Sequence, residues 1–516
     1  MLEIAVLFII SIILRIGVVL NSRTYFDTFG HLYFAKEVKD QKVGPFGKIQ
    51  TKVAGTKGFK SQFVWHWLMG FLPLYKIIKF EKWINPFFDV IFTLLIYFIS
   101  IQYGLDNRTS FLVALIYLLT PMWFSGVSTG PRIKSLTPRL SSEIITNLFF
   151  IVTVLPLGIP YSIQLILGTV FSSFVILSFR FGLQAIFFLT PLISLFAVDF
   201  TPLFSTLIAI FLSIIISKGD FLETLKYQLI HLQWYFKKNL KGEMTISNRN
   251  SLKKLFSKSK DKKGIDRILA VIHDMIALNS FSAVLLKMPV YVLSLGGIIY
   301  LYLNEMAGVL PQSVVDVVLG GTIIYLLVNI PILLFIGEAE RYLNHIAYFI
   351  ILSAVIIAEQ LNLDIVIYAL LLYGLLYWVF ESFFLHKLRT EDETSDKFSE
   401  EVFNFIKGKN ERIILTFPYH AIGGIWRIML HTKHKVVCHM ASDGDYRKKL
   451  EKKYALNYPY LNLNLLEEMS SEYGVNLLII DNKKLKVHDF EGWSPPSNWE
   501  KVKVGGEYFS VYERKN

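Results

Sequence analysis

The chain has one cysteine, Cys438, in 516 residues, so no internal disulfide can form and no cysteine-based zinc site can be built. Charge is scarce as well. Only 18% of residues are charged, against 53% hydrophobic and 15% aromatic, a balance that excludes an ordinary soluble protein. The formal charge of +12 sits in loops and in the C-terminal portion, where anionic headgroups are fitter partners than nucleic acid. No RNA- or DNA-binding motif accompanies it. A Walker loop and a GxGxxG turn are missing too, so no soluble nucleotide is indicated.

What is present is a series of apolar runs near the roughly 20 residues that cross a hydrocarbon core. They predict an α-helical polytopic membrane protein. The first run, 2–20, lacks a basic n-region and a cleavage site and reads as an uncleaved helix. Arg15 inside it is costly unless it snorkels or faces protein. Further spans are expected at 86–104, 110–124, 143–157, 161–177, 182–198, 202–216, 281–303, 314–336, 342–358 and 363–385, about eleven in all. The aromatic segment 65–75, with Pro73, is expected to lie along the interface. This gives a transmembrane domain at 1–390, with a first external loop at 21–84 and a long basic loop at 218–280. A soluble α/β domain follows at 391–516. Its IILTF, VVCHM and NLLII read as buried strands, and VKVGGEYFSVYE as a hairpin turning at Gly505-Gly506.

With the N-terminus cytoplasmic, eleven spans put the polar loops and the C-terminal domain on the outer face. The Lys/Arg excess of 218–267 and Arg23 oppose this orientation, although long loops translocate largely regardless of charge.

Four polar clusters stand at the ends of spans. In YFDTFGHLYFAKEVK, Asp27 and His31 are four apart and share a helical face. They could hold a metal or take a proton from a nucleophile, and from spacing alone a helix cap is the plainer role for Asp27. In STGPRIKSLTPRLSSE, Arg132, Lys134 and Arg139 make a cationic loop before Glu143. Guanidinium forks there suit a phosphate, and a snorkelling basic rim fits as well. Arg180 stands in SFRFGLQ between two spans, where it could simply anchor a short loop. FIGEAERYLNH gathers Glu338, Glu340, Arg341 and His345 at the end of a span.

In their order, these stretches resemble the GT-C superfamily of integral-membrane glycosyltransferases, which use polyprenyl- or dolichyl-phosphate-linked sugars. YFDTFGHLYFAKEVKD is similar to the first-loop acidic motif, and FVWHWLMGFLP to that loop's aromatic and His-rich end. TGPRIKSLTPRLSSE is similar to the second, basic-then-acidic loop. LSFRFGLQ is similar to the short basic turn, and GEAERYL to the Arg-Tyr-Leu segment near the lipid-phosphate site. The resemblance covers most of 1–390.

It implies an inverting transferase at the outer face of the plasma membrane. Asp27 would be the general base, or a ligand if a divalent metal is used, with His31 assisting and Glu143 as a second acid. Arg132, Arg139, Arg180 and Arg341 would hold the lipid phosphate, and His66, Glu338 and Glu340 would line the acceptor cavity. The implied partners are a polyprenyl-phosphate-linked donor, a glycan, lipid or protein acceptor, and membrane lipids. The first loop has one Asp rather than Asp-x-Asp, and no Trp-Trp-Asp stands in the C-terminal domain. Both departures argue against oligosaccharide transfer to asparagine. Two rivals remain: a transporter or flippase of lipid-linked glycans, for which no internal repeat is found, and a non-catalytic membrane scaffold.

Overall fold

The computed structural model describes the chain except residues 1, 21–25, 62, 126–131, 241–248, 251–262, 385–389, 441, 456–460, 488–489, 491 and 516. Arg23, the start of the 128–143 loop, most of the basic run after Asn250 and the end of the last expected span therefore lie outside the described residues.

The chain begins with α1 (Leu2–Leu20), α2 (Phe26–Asp40) and α3 (Val64–Gly70), then α4 (Leu74–Gln102), α5 (Asn107–Leu119) and the single turn α6 (Pro121–Phe124). There follow α7 (Pro138–Val154), α8 (Tyr161–Ser178), α9 (Arg180–Ala197), α10 (Thr201–Ile216), α11 (Asp220–Leu240), α12 (Gly264–Leu278), α13 (Ser280–Lys287) and α14 (Pro289–Leu303). Then come α15 (Gln312–Val328), α16 (Glu340–Asn344), α17 (Ala347–Gln360) and α18 (Asp364–Val379). The C-terminal region holds α19 (Thr390–Lys407), β1 (Ile413–Phe417), α20 (Gly424–His431), β2 (Lys435–Val436), α21 (Gly444–Tyr454), α22 (Leu466–Tyr473), β3 (Leu477–Asp481), β4 (Trp499–Val502) and β5 (Phe509–Arg514).

Among the described residues five helices are long and apolar enough to cross a bilayer: α1, α4, α8, α9 and α18 with its continuation to Ser382. Two bent pairs, α10 with α11 and α13 with α14, bring this to seven if each counts as one span. The expected spans at 110–124, 314–336 and 342–358 fall on shorter apolar helices of 13, 17 and 14 residues. Prolines break the first two: Pro121 follows α5, and Pro331 follows α15. The 281–303 stretch bends by 95° at Pro289. Pro86, expected to open a span, instead lies inside the 29-residue α4, which takes in the last two residues of the 65–75 segment.

The chain packs as two compact units, a partition that differs from a cut near residue 390. One comprises Met1–Arg23 with Phe80–Phe384, and the other joins Thr24–Lys79 to Leu385–Asn516. In the first unit α17 forms the centre. Nearly every residue from Ala347 to Ala358 is buried, the environment that a helix apolar on all sides requires.

The second unit is built on a five-stranded sheet of order β2-β1-β3-β5-β4. β1 runs parallel to β2 and β3, with Thr416 opposite Ile479, while β5 runs antiparallel to β3 and β4. The β4–β5 hairpin turns through Gly505 (φ 89) and Gly506 (φ 56), as the Gly-Gly pair predicts. The first loop adds to this sheet, because Val53 bridges Val436 in parallel on the free side of β2.

Candidate functional site

In the first unit, buried charges cluster around Asp89 of α4. Arg15 donates through Nε to Asp89 Oδ2 at 2.6 Å, and its Nη1 donates to the Leu118 carbonyl at 3.0 Å. Of the two alternatives open to the arginine inside the first apolar run, it therefore faces protein rather than snorkelling. Tyr117 donates to Asp89 Oδ1 at 2.6 Å, and Arg132 Nη1 approaches the same oxygen at 3.3 Å. Arg132 also donates to Tyr117 Oη at 2.9 Å, to the Trp123 carbonyl at 2.7 Å and, through Nε, to Glu143. Glu143 accepts from Asn344 at 3.3 Å, and Asn85 ties the 132–137 loop down by donating to the carbonyls of Arg132, Ser135 and Thr137.

Arg132 is only 2% exposed, and its guanidinium is spent on these partners. It therefore differs from the expected phosphate ligand: it is a cross-brace joining α4, α5 and α7. Glu143, 6% exposed, is its counter-ion rather than an open carboxylate. Glu340 is turned inward as well. It pairs with Arg249 and accepts from Ser280 at 2.9 Å. Lys134 pairs with Glu381.

Arg139, Glu338 and Arg341 remain near one another, and Arg180 directly precedes Phe181, the ring that the other two arginines share. Phe179 alone separates α8 from α9, in an extended conformation, so Arg180 opens α9 and Phe181 follows it. The guanidinium carbons of Arg341 and Arg139 lie 4.4 and 5.8 Å from the Phe181 ring centre, within cation–π range. Gly182 permits this crowding, since a Cβ there would stand 2.2 Å from Ser142 Oγ of α7. Gly337, at φ 131, turns the chain between a 3-10 segment and α16. Arg341 then pairs with Glu338 at 2.7 Å.

Phe181, Gly337, Glu338 and Arg341 line a small open hollow with Gln184, Tyr342 and His345. Arg341 Nε and Nη1, Tyr342 Oη and His345 Nδ1 are buried in it, with no hydrogen-bond partner among the described residues. Such atoms normally find a partner. All four, on three residues that line one hollow, are obligate or potential donors, a set that suits an anionic oxygen cluster. Tyr342 was not singled out from sequence. Its signal there was its place beside Arg341 in GEAERYL.

The second unit holds the other candidates. Asp27 lies in the first turn of α2, where a carboxylate complements the helix dipole. His31 Nδ1 and His66 Nε2 are 3.0 Å apart, so one ring supplies the proton and the other the lone pair. Their rings stack at 5.2 Å among Trp65, Phe34 and Phe63. Among the described residues no three of His, Cys, Asp and Glu gather as metal ligands. Cys438 is buried and its thiol is pushed up to about 12 by that burial, which makes it a poor nucleophile.

No family model and no curated protein matches the sequence. Among solved structures, the Archaeoglobus fulgidus oligosaccharyltransferase tethered with an acceptor peptide aligns at a TM-score of 0.50 and 11% identity, over 99% of this chain and 74% of that one. Its structural neighbours are membrane glycosyltransferases of the GT-C superfamily. Archaeal oligosaccharyltransferase AglB from the same organism, in complex with an inhibitory peptide and a dolichol-phosphate, aligns at 0.47 and 11% identity, over 94% of this chain and 70% of that one. ArnT from Cupriavidus metallidurans, in the apo state, gives 0.42 and 9%, over 98% and 97%. At such identities the GT-C likeness is one of fold.

Proposed function

We propose that the protein is an inverting GT-C-type glycosyltransferase. It moves a sugar from a polyprenyl-phosphate-linked donor to a glycan, lipid or protein acceptor at the outer face of the plasma membrane. The observation that carries the reading is the hollow at α16, which Arg341, Tyr342 and His345 line with unspent polar atoms beside the Arg139–Phe181–Arg341 stack.

In this reading the C–O bond between sugar and phosphate breaks as the acceptor oxygen or nitrogen bonds to the anomeric carbon. The electron pair of the broken bond stays on the lipid phosphate. Arg341, Tyr342 and His345, with Arg139 and Arg180, stabilise that developing anion, and donors fixed in advance in a water-poor site do so most effectively. Asp27 takes the acceptor's proton, and His31, bonded to His66, assists. Arg132 and Glu143 hold the adjoining loop and helix in place. The likeness of fold to an oligosaccharyltransferase tethered with an acceptor peptide supports this direction.

Binding of dolichyl phosphate to the purified protein tests the phosphate half, with Arg341→Gln expected to weaken it at least tenfold. Equal affinity in that variant removes the hollow from the mechanism. Asp27→Asn is expected to abolish sugar transfer while the protein still inserts, and full transfer would remove the base.

A further inference from the structure

The first loop and the C-terminal region meet through two aromatic rings seated on two glycines, one from each partner. Phe26 of α2 lies on Gly424, the first residue of α20, so closely that a Cβ at Gly424 would stand 2.0 Å from Phe26 Cε2. The backbone at Gly424 has φ 89, a conformation that a side chain disfavours. In the reverse direction, Trp426 of α20 lies on Gly30 of α2, where a Cβ would meet the indole at 3.1 Å. Phe26 also packs edge-on against Tyr419 at 5.2 Å, and Phe34, two turns along α2, meets Trp426 at 5.2 Å.

Residues 26, 30 and 34 recur every four positions and form one stripe of α2. Asp27 directly follows the first of them, and His31 directly follows the second. Rotating α2 by one residue, or sliding it by a fraction of a turn, would lift Phe26 off its notch and drive Gly30 away from the indole. The contacts therefore fix both the rotation and the height of the helix that carries the two polar groups.

We propose that Gly424 and Trp426 are positioning residues that set where α2 presents Asp27 and His31. This rests on the reading of Asp27 as the base, and it assigns to the Gly-Gly turn of the C-terminal region a part beyond packing. Neither residue touches a reacting atom. They act by holding α2 against α20 in one register, and the His31–His66 contact reports whether that register is kept.

The test uses the whole protein labelled with 15N-histidine. Two imidazole N–H resonances matter. One belongs to the His31–His66 pair, assigned by its loss in His66→Gln. The other belongs to His434, whose Nδ1 accepts from the Arg412 amide at 3.0 Å, so that its Nε2 donates to the Ile406 carbonyl at 2.7 Å. His434 lies in the same unit and serves as the folding control. Gly424→Ala, which crowds the notch, and Phe26→Leu, which empties it, should each shift or erase the pair's resonance and leave that of His434 in place. An unmoved pair resonance in Phe26→Leu overturns the proposal. Should Gly424→Ala erase both signals through unfolding, Phe26→Leu alone decides. A failed role for Asp27 would appear as retained sugar transfer in Asp27→Asn, and it leaves both resonances untouched.

Discussion

The Lys52 ammonium donates to the Thr432 carbonyl at 2.7 Å, bridging 380 positions of sequence. It donates to the Met429 carbonyl at 2.6 Å as well, and so caps the end of α20 with a cation, where the helix dipole favours one. Beside it the backbones pair directly, from Val436 N to Lys52 O at 2.8 Å and from Ala54 N to Val436 O at 2.9 Å. Segments bonded backbone to backbone cannot lie on opposite sides of a bilayer. The chain between Phe80 and Phe384 therefore crosses an even number of times. Cysteines placed singly at Lys57 and Lys433, both exposed, should react with an impermeant maleimide from the same side of intact cells. Labelling from opposite sides would dismantle the second unit.

Glu143→Gln should behave as a stability variant rather than as a catalytic one. It leaves the Arg132 guanidinium, 2% exposed, without its nearest counter-ion. Removing one partner of a buried pair costs about 3–5 kcal/mol. Thermal unfolding in detergent should drop well below that of the parent, while dolichyl phosphate still binds to the remaining folded protein. A variant with unchanged unfolding that no longer transfers sugar would return Glu143 to the reacting centre.

Acid should loosen the second unit before its carboxylates protonate. His439 is buried, and its pKa is lowered to about 3 by that burial, with Arg447 adding to the effect. In the unfolded chain the same imidazole titrates near the usual value of about 6.5. The unfolded state thus binds the extra proton first. The stabilising effect of a neutral His439 is complete above about pH 6.5 and falls by about 1.4 kcal/mol for each pH unit below it. Protection factors of the β1 and β3 amides, taken relative to the intrinsic exchange rate at each pH, should fall between about pH 6.5 and pH 5, and His439→Gln should flatten that dependence. Protection factors that hold or rise on acidification contradict it.

Local patterns carried much of the architecture. The first helix, the strands β1 and β3 and the Gly505-Gly506 hairpin were legible because each depends on neighbours a few positions away, whereas of VVCHM only Val436 belongs to a strand, the two-residue edge strand β2. Arg15 was legible in part. A guanidinium in an apolar run must snorkel or face protein, but nothing in the run chooses between them or names Asp89, which lies 74 positions on. Arg132 and Arg341 look alike in sequence, each a cation at the end of a span. Only tertiary contacts separate them, since Arg132 is spent on Asp89, Tyr117 and Glu143 while Arg341 keeps two donors unspent. The same limit hid the composite second unit, because strand periodicity does not reveal that Val53 will seek Val436.

Gly182→Val tests whether the arginine stack depends on close helix approach. A Cβ at Gly182 would stand 2.2 Å from Ser142 Oγ of α7 and 2.6 Å from Val175 Cγ1 of α8, so a branched side chain forces α9 away from both. Overpacking of this kind costs about 1–3 kcal/mol. Phe181 follows directly, and its shift would part the ring from Arg139, already 5.8 Å away, before it parts from Arg341 at 4.4 Å. Dolichyl phosphate should then bind several-fold more weakly in a protein that still unfolds cooperatively. Ser142→Gly in the same chain removes the struck hydroxyl and should recover part of the lost affinity. If Gly182→Val binds the lipid as the parent does, the spacing of α7 and α9 has no part in building the hollow.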